Sequence, residues 1–219
     1  MRRTTFTLAL VLALVTPGWA SDTSLSGVEG HTIEHFPLRV WLGRFDDDVE
    51  RAFRRAVEDW NTVFRETLQT SVDAFAVADY GSAARVFVER GDILLAPGNA
   101  RFTPTTPLPR TAGWTTIYAE RSGVIRVPVY ITIRESPAAQ AVSREALFYR
   151  LIAHELGHAL GLPHTRDPRS IMCCAWDGVN LNDPATRHAY SQSLLRPDVR
   201  SARRQLAEHY FLFWGTGPL

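Results

Sequence analysis

Cysteine is nearly absent from this 219-residue sequence: Cys173 and Cys174 are the only two, and they are neighbours. Adjacent cysteines close at most a small strained ring, remain a free pair, or bridge to another chain; they cannot staple a long loop. A disulfide-framed miniprotein is therefore excluded, and stability has to come from an apolar core or a bound metal. An excess of one charge is lacking too. The 24 basic and 23 acidic side chains leave a formal net charge of +1, which excludes a strongly basic nucleic-acid binder. Lysine is missing altogether, since every basic side chain is arginine. Arginine suits bidentate contacts, but a compositional bias accounts for the count equally well, and no function is assigned to it. No internal repeat or long low-complexity segment occurs, and 45% hydrophobic residues with 21% charged exclude a disordered chain.

No apolar run approaches the roughly 20 residues that cross a bilayer comfortably. Leu8 to Val15 is apolar but short; Arg2 and Arg3 precede it, and Pro17-Gly18-Trp19-Ala20 follow. That order of basic, apolar and small residues is the pattern of a secretory signal, with cleavage expected after Ala20. An uncleaved anchor is the alternative, and the apolar core is short for it. With no cysteine beside the cleavage point, a lipid anchor is not expected. The expected organisation is 1–20 signal peptide, 21–35 flexible polar arm, and 36–219 a single folded domain, placing the product in the periplasm or outside the cell. Loss of Arg2 and Arg3 turns the net charge from +1 to −1.

Phe36, Leu38, Val40 and Leu42 share one face, with Arg39 and Trp41 on the other, and predict a short half-buried strand. Asp46, Asp47 and Asp48 then offer carboxylates to the free N–H groups of a helix start. A calcium loop is the rival reading, but the alternating ligand spacing is missing. Phe53, Val57, Trp60 and Phe64 recur at helical spacing and predict a helix from about 47 to 67. Ala74–Val77, Arg85–Val88 and Ile93–Leu95 read as short strands, and the Pro- and Gly-rich 97–113 as a long loop. Thr115–Ala119 and Val124–Ile133 flank Arg121-Ser122-Gly123 as a hairpin, with Val127, Val129, Ile131 and Ile133 on one face. Pro128 has no N–H to give and predicts an outer position or a bulge. Arg144 to Leu162 predicts a helix ending near Gly161.

Within that helix the chain reads His154-Glu155-Leu156-Gly157-His158-Ala159-Leu160-Gly161-Leu162-Pro163-His164. His154 and His158 are four residues apart, so both imidazoles leave one helix face with Cβ atoms about 6 Å apart. One tetrahedral zinc is within reach of both at about 2.0–2.1 Å. Glu155 is placed to take a proton from a zinc-bound water. Gly161, without a Cβ, can end the helix by reversing the chain and bring His164 round as third ligand. Three protein ligands leave a fourth position for water, the pattern of a catalytic site. Histidines at helical spacing also occur as satisfied core or surface groups. The turn glycine and third histidine make one zinc ion the reading here.

This run resembles the metzincin zinc endopeptidases, and within them most closely the matrixins. The resemblance assigns His154, His158 and His164 as zinc ligands, Glu155 as base and Gly161 as the helix-ending turn. Asp167-Pro168-Arg169-Ser170-Ile171-Met172 is similar to the family's approach to a methionine turn, with Met172 as its methionine. The resemblance is strong over 145–173 and weaker elsewhere. It implies an α+β metzincin-type zincin catalytic domain. In that fold a twisted, mostly parallel sheet with an antiparallel edge strand packs on the active-site helix, and a C-terminal helix covers the end. Leu38 to Thr67 is similar to the domain's opening, and Leu195 to Tyr210, begun by Arg196-Pro197-Asp198, to its final helix. Val124–Ile133 would lie near the edge that receives substrate, with Pro128 against it.

The expected activity is peptide-bond hydrolysis by an exported, monomeric zinc endopeptidase acting on protein or peptide substrates. Several features depart from the family. The stretch before Phe36 is short for an inhibitory prodomain, and it holds no cysteine for a latch. Calcium is left open without ligands. Trp176, Val179 and Leu181 are candidates for the wall of the specificity pocket. His31, His35, His188 and His209 read as ordinary surface or core histidines. The rival classes are a zinc-containing binding or adhesion module without catalysis, and an effector acting through its apolar tail Tyr210–Trp214. Glu155 argues against the first, because a purely structural site does not require it. The tail equally reads as packing of the last helix on the core.

Overall fold

The computed structural model describes residues 25–79, 84–90, 113–133, 143–165, 167, 169–173, 183–185, 188 and 198–216. Among these residues five strands form one sheet: β1 (Leu38–Leu42), β2 (Phe75–Val77), β3 (Val86–Arg90), β4 (Gly113–Ala119) and β5 (Ile125–Ile133). Three long helices lie within the described residues: α1 (Asp47–Leu68), α2 (Arg144–Ala159) and α3 (Arg203–Thr216). The strand order is β2-β1-β3-β5-β4; every pairing is parallel except β4 with β5, so the antiparallel strand sits at one edge. The mostly parallel sheet, antiparallel edge, buried helix and C-terminal helix are the architecture expected from the sequence.

Alternation decides which face of the sheet is dry. Leu38, Val40, Val86, Val88, Val129 and Ile131 are buried on the face that meets the helices. Their neighbours Trp41, Phe87 and Tyr130 line up on the other face, with ring centroids 5.8 and 5.6 Å apart along the row. α1 starts on Asp46, whose carboxylate accepts from the N–H groups of Asp48 and Val49, and stops at Gln69 in the left-handed conformation. The acidic trio thus serves as a helix start. Phe53, Trp60 and Phe64 bury its apolar stripe, and Trp60 Nε1 donates to the Ala153 carbonyl of α2 at 2.8 Å.

Pro128 makes a bulge. Thr116 faces Tyr130 while Tyr118 faces Arg126, so β5 carries extra residues where Pro128 has no N–H to offer β4. The bulge breaks the expected alternation: Val127 is exposed, whereas Ile125, Val129, Ile131 and Ile133 are buried. β5 lies one strand in from the antiparallel edge strand β4, so Val124–Ile133 is near that edge without forming it.

Several boundaries move. α2 ends at Ala159, short of Leu162. The last helix is capped by Asp198, passes through a 3-10 turn at Val199–Ala202, and runs on as α3 beyond Tyr210. The part of 21–35 that is described is packed against the domain, not loose. Gly30 pairs with Val124, a 3-10 turn forms at Ile33–His35, and His31 is fully buried. The tail divides between the two readings offered for it. Tyr210 and Phe213 are buried and Trp214 Nε1 donates to His31 O at 3.0 Å, while Phe211 and Leu212 face outward. No described helix is long and apolar enough to cross a membrane. The expected strand at Ile93–Leu95 and most of the 97–113 loop lie outside the described residues.

Candidate metal centre

α2 has an interior unlike an ordinary amphipathic helix. Ser143 caps its start, and eleven of its sixteen residues are buried, among them the polar Arg150, Glu155 and His158. A buried polar group is costly without a partner, so each needs an account.

At the helix end the accounting closes. Leu162 N–H donates to Gly157 O at 3.0 Å and Gly161 N–H to His158 O at 2.8 Å. This is the paired 6→1 and 5→2 reversal that needs a residue with positive φ at its turn. Gly161 supplies it at φ 89°, and a Cβ there would meet the carbonyl of Glu29 and the ring of His209. Two carbonyls remain past that turn's reach. His31 Nε2 takes Ala159 O at 2.8 Å and the Tyr210 hydroxyl donates to Leu160 O at 2.9 Å. The N-terminal segment and α3 thus brace the turn from outside.

The reversal brings His164 back to the helix. The Nε2 atoms of His154, His158 and His164 lie 3.0–3.1 Å from one another. Two of these rings are held from behind: His154 Nδ1 lies 2.7 Å from Ile171 O, and His158 Nδ1 2.8 Å from Leu162 O. A carbonyl can only accept, so each Nδ1 carries the hydrogen and each Nε2 presents a lone pair. Converging lone pairs repel unless a cation lies among them. A tetrahedral ion at about 2.0–2.1 Å from each nitrogen asks for comparable spacings. Burial pushes the His154 imidazolium down to about 4, helped by the charges of His164 and Arg150, and lowers His158 and His164 as well. Neutral imidazoles are the metal-binding form. The three residues therefore fit a zinc ion. They are the one such group of His, Cys, Asp or Glu among the described residues.

The floor of the site is the turn at 170–173. Cys173 N–H closes it on Ser170 O at 3.0 Å, and Met172 N–H and O are held by Ser170 Oγ and Thr165 N–H. Met172 is fully buried directly under Gly157, where any Cβ would strike its sulfur and crowd Trp60. Ile171 O, which fixes His154, belongs to this same turn. Cys173 is disulfide-bonded. Trp176, Val179 and Leu181 lie outside the described residues.

Glu155 is buried beside the histidines, and β4 lies against its carboxylate. The Thr115 hydroxyl reaches Glu155 Oε2 at 2.6 Å, and a Cβ on Gly113 would stand 3.2 Å from Oε1. The structure brings together every site residue it describes: His154, Glu155, His158, Gly161, His164 and Met172. His35 is half-buried and His188 exposed, whereas His31 and His209 are core residues; among the described residues they form no second metal group.

Gly157, His31, Gly113 and Thr115 also shape the site. Only Gly157 carried a local signal, since a glycine inside a helix costs about 1 kcal/mol against alanine and marks a close approach. The other three act across long sequence separations. No characterised protein matches the chain significantly. The matrixin family pattern matches residues 43–184, which spans α1, the described strands after it, α2 with His154 and His158, His164 beyond its end, and the Met172 turn. The chain belongs to the matrixin family, the zinc-dependent metallopeptidases.

Proposed function

We propose that the protein is an exported zinc endopeptidase in which Glu155 activates the attacking water and then returns its proton to the departing amine. The observation that carries this reading is the cluster of three Nε2 atoms 3.0–3.1 Å apart with the buried Glu155 on the same helix. His154, His158 and His164 would hold the ion, which when bound acidifies a water and polarises a carbonyl. Glu155 then needs only to receive one proton and release it, serving as base and as acid in turn. Gly161 sets the position of His164, and Met172 supports the helix beneath the two ring ligands. Trp176, Val179 and Leu181 are proposed to wall the pocket beside His164. Cleavage after Ala20 delivers the domain, as a monomer, to the periplasm or the medium.

The test uses the zinc-loaded protein and a mixed peptide library read by mass spectrometry. Chelation should abolish cleavage and zinc should restore it. Glu155→Gln should keep one zinc per chain and lose about 10³-fold or more in turnover, the scale of a lost general base. Near-full activity in that variant would overturn the role of Glu155. Zinc retention by the wild type with no hydrolysis of any library would favour a binding module instead. N-terminal sequencing of the exported protein should begin at Ser21.

A further inference from the structure

Glu155 is 3% exposed, so its carboxylate has to be oriented by the protein rather than by bulk water. Two residues of β4 stand against it. Thr115 lies on the dry face of the strand, fully buried, and its hydroxyl has two oxygens of Glu155 within reach: carboxylate Oε2 at 2.6 Å and the main-chain carbonyl at 3.1 Å. Gly113, two residues earlier on the same face, lies close to Oε1; an alanine there would place its Cβ 3.2 Å from that oxygen and 2.8 Å from Leu151. One oxygen is therefore gripped and the other is given room.

We propose that Thr115 is a positioning residue for Glu155, its hydroxyl holding the carboxyl group in one orientation both before and after it takes up a proton. A threonine in a strand usually needs no functional account, because a β-branched side chain suits the pleat and its hydroxyl finds a nearby carbonyl. Such a structural role would be met by the 3.1 Å contact to Glu155 O alone. The shorter contact goes instead to the carboxylate, and a hydroxyl has a single hydrogen to give. Donation to a charged acceptor is the stronger bond, which selects Oε2 while Glu155 is ionised.

The second acceptor matters once Glu155 carries a proton. If that proton rests on Oε1, the bond from Thr115 to Oε2 is unchanged. If it rests on Oε2, the hydroxyl oxygen accepts it in a hydrogen bond and swings its own hydrogen to Glu155 O. Thr115 neither loses nor gains a proton in either case. The base thus stays aimed through the whole cycle at no cost in reorientation, which is the condition for effective proton transfer.

This inference rests on the peptidase reading above, and its test separates the two. Thr115→Val keeps the shape and removes the hydroxyl; Thr115→Ser keeps the hydroxyl and removes a methyl. On a peptide that the wild type cleaves in a chelator-sensitive way, Thr115→Val should lose about 10- to 100-fold in kcat. Its KM should stay within about twofold and its zinc content at the wild-type level, while Thr115→Ser should recover most of the loss. Crystal structures of the same proteins, metal-free and zinc-loaded, should place the Glu155 carboxyl identically in wild type and Thr115→Ser and displaced in Thr115→Val. Should Thr115→Val not fold, Thr115→Ala replaces it in both arms. Wild-type kcat and an unmoved carboxyl in the hydroxyl-free variant would overturn the proposal. A wild type without hydrolytic activity would overturn the peptidase reading alone, and the crystallographic arm would still decide on Thr115.

Discussion

α1 and α2 pack against each other over the same face of the sheet, yet they keep their polar groups in opposite places. α1 sends its charge outward: Arg51 pairs with Asp48, Arg54 with Glu50 at 2.6 Å, and Arg55 with Asp59 at 3.7 Å, all with largely exposed side chains. Ion pairs of this kind contribute only a few tenths of a kcal/mol each. α2 turns Glu155 and His158 inward, where each must be met by a specific atom of another segment. A helix whose charges face water tolerates exchange of residues on that side. One that buries them is tied residue by residue to the rest of the fold, and α2 also accepts a glycine in its interior to do so.

The largest break in the comparison comes from the ligands. His158→Ala should leave the fold's apolar contacts largely in place but remove one of three ring nitrogens. Partners behind a ligand are worth 10- to 100-fold in metal affinity, so a ligand itself should cost more than about 100-fold. Zinc per chain after dialysis, read by atomic absorption, should fall well below one; unchanged stoichiometry would sever α2 from the metal. An exposed change on α1 such as Glu58→Ala should leave the zinc content alone.

Gly157→Ala reverses a rule. On an exposed helix the exchange gains about 1 kcal/mol, but here the added Cβ strikes Met172 and Trp60, and overpacking costs about 1–3 kcal/mol. Urea unfolding should therefore show a loss; a gain would mean that the floor beneath the helix yields freely.

Burial holds His31 down to about 3, against an ordinary value of 6.5, with the charges of His35, Arg85 and His209 adding to the effect. The unfolded chain takes up its proton near 6.5, whereas the folded chain waits until about pH 3. Stability from this group is therefore intact above 6.5 and falls as the pH drops from 6.5 towards 3, by about 1.4 kcal/mol per pH unit. In chelated protein His31→Gln, which can still donate to Ala159 O, should lose stability between pH 6.5 and 5 less steeply by one proton. Equal slopes would show that the brace on the helix end does not resist protonation.

The smallest effect belongs to the surface. Asp46 caps α1 and also grips Arg144 of α2 through two bonds of 2.6 Å, and that guanidinium holds the carboxyl down to about 2. Asp46→Ala should cost about 1 kcal/mol, mostly the cap, since the ion pair is exposed and screened. Arg54→Ala should stay within about 0.5 kcal/mol by thermal unfolding.

Much of the framework was legible because it obeys short periods. The stripe of Phe53, Val57, Trp60 and Phe64 marked α1, alternation marked β1, and Pro128 announced its bulge. The errors lie where a contact overrides a local pattern. Val127 broke the alternation of β5 because the bulge turned it outward. Residues 25–35, polar and glycine-bearing, gave no sign that they would pack on the domain, because the partner of His31 is a carbonyl 128 positions away. That β4 forms the edge beside β5 was not legible either, because strand order is set by pairing, which no single strand encodes.

What the sequence determined by itself is the chemistry of the metal centre. The helical repeat puts His154 and His158 on one face, and Gly161 is the residue type that a reversal towards His164 requires. Both facts are local, written within eleven residues. Only the tertiary structure decided what surrounds that chemistry: the methionine under Gly157, the brace of His31 and Tyr210 on the turn, and Thr115 against Glu155 from 40 residues away. The physical reason is range. Backbone geometry propagates over a turn or two of helix, whereas desolvated polar atoms must be satisfied by whatever the packed chain brings within about 3 Å.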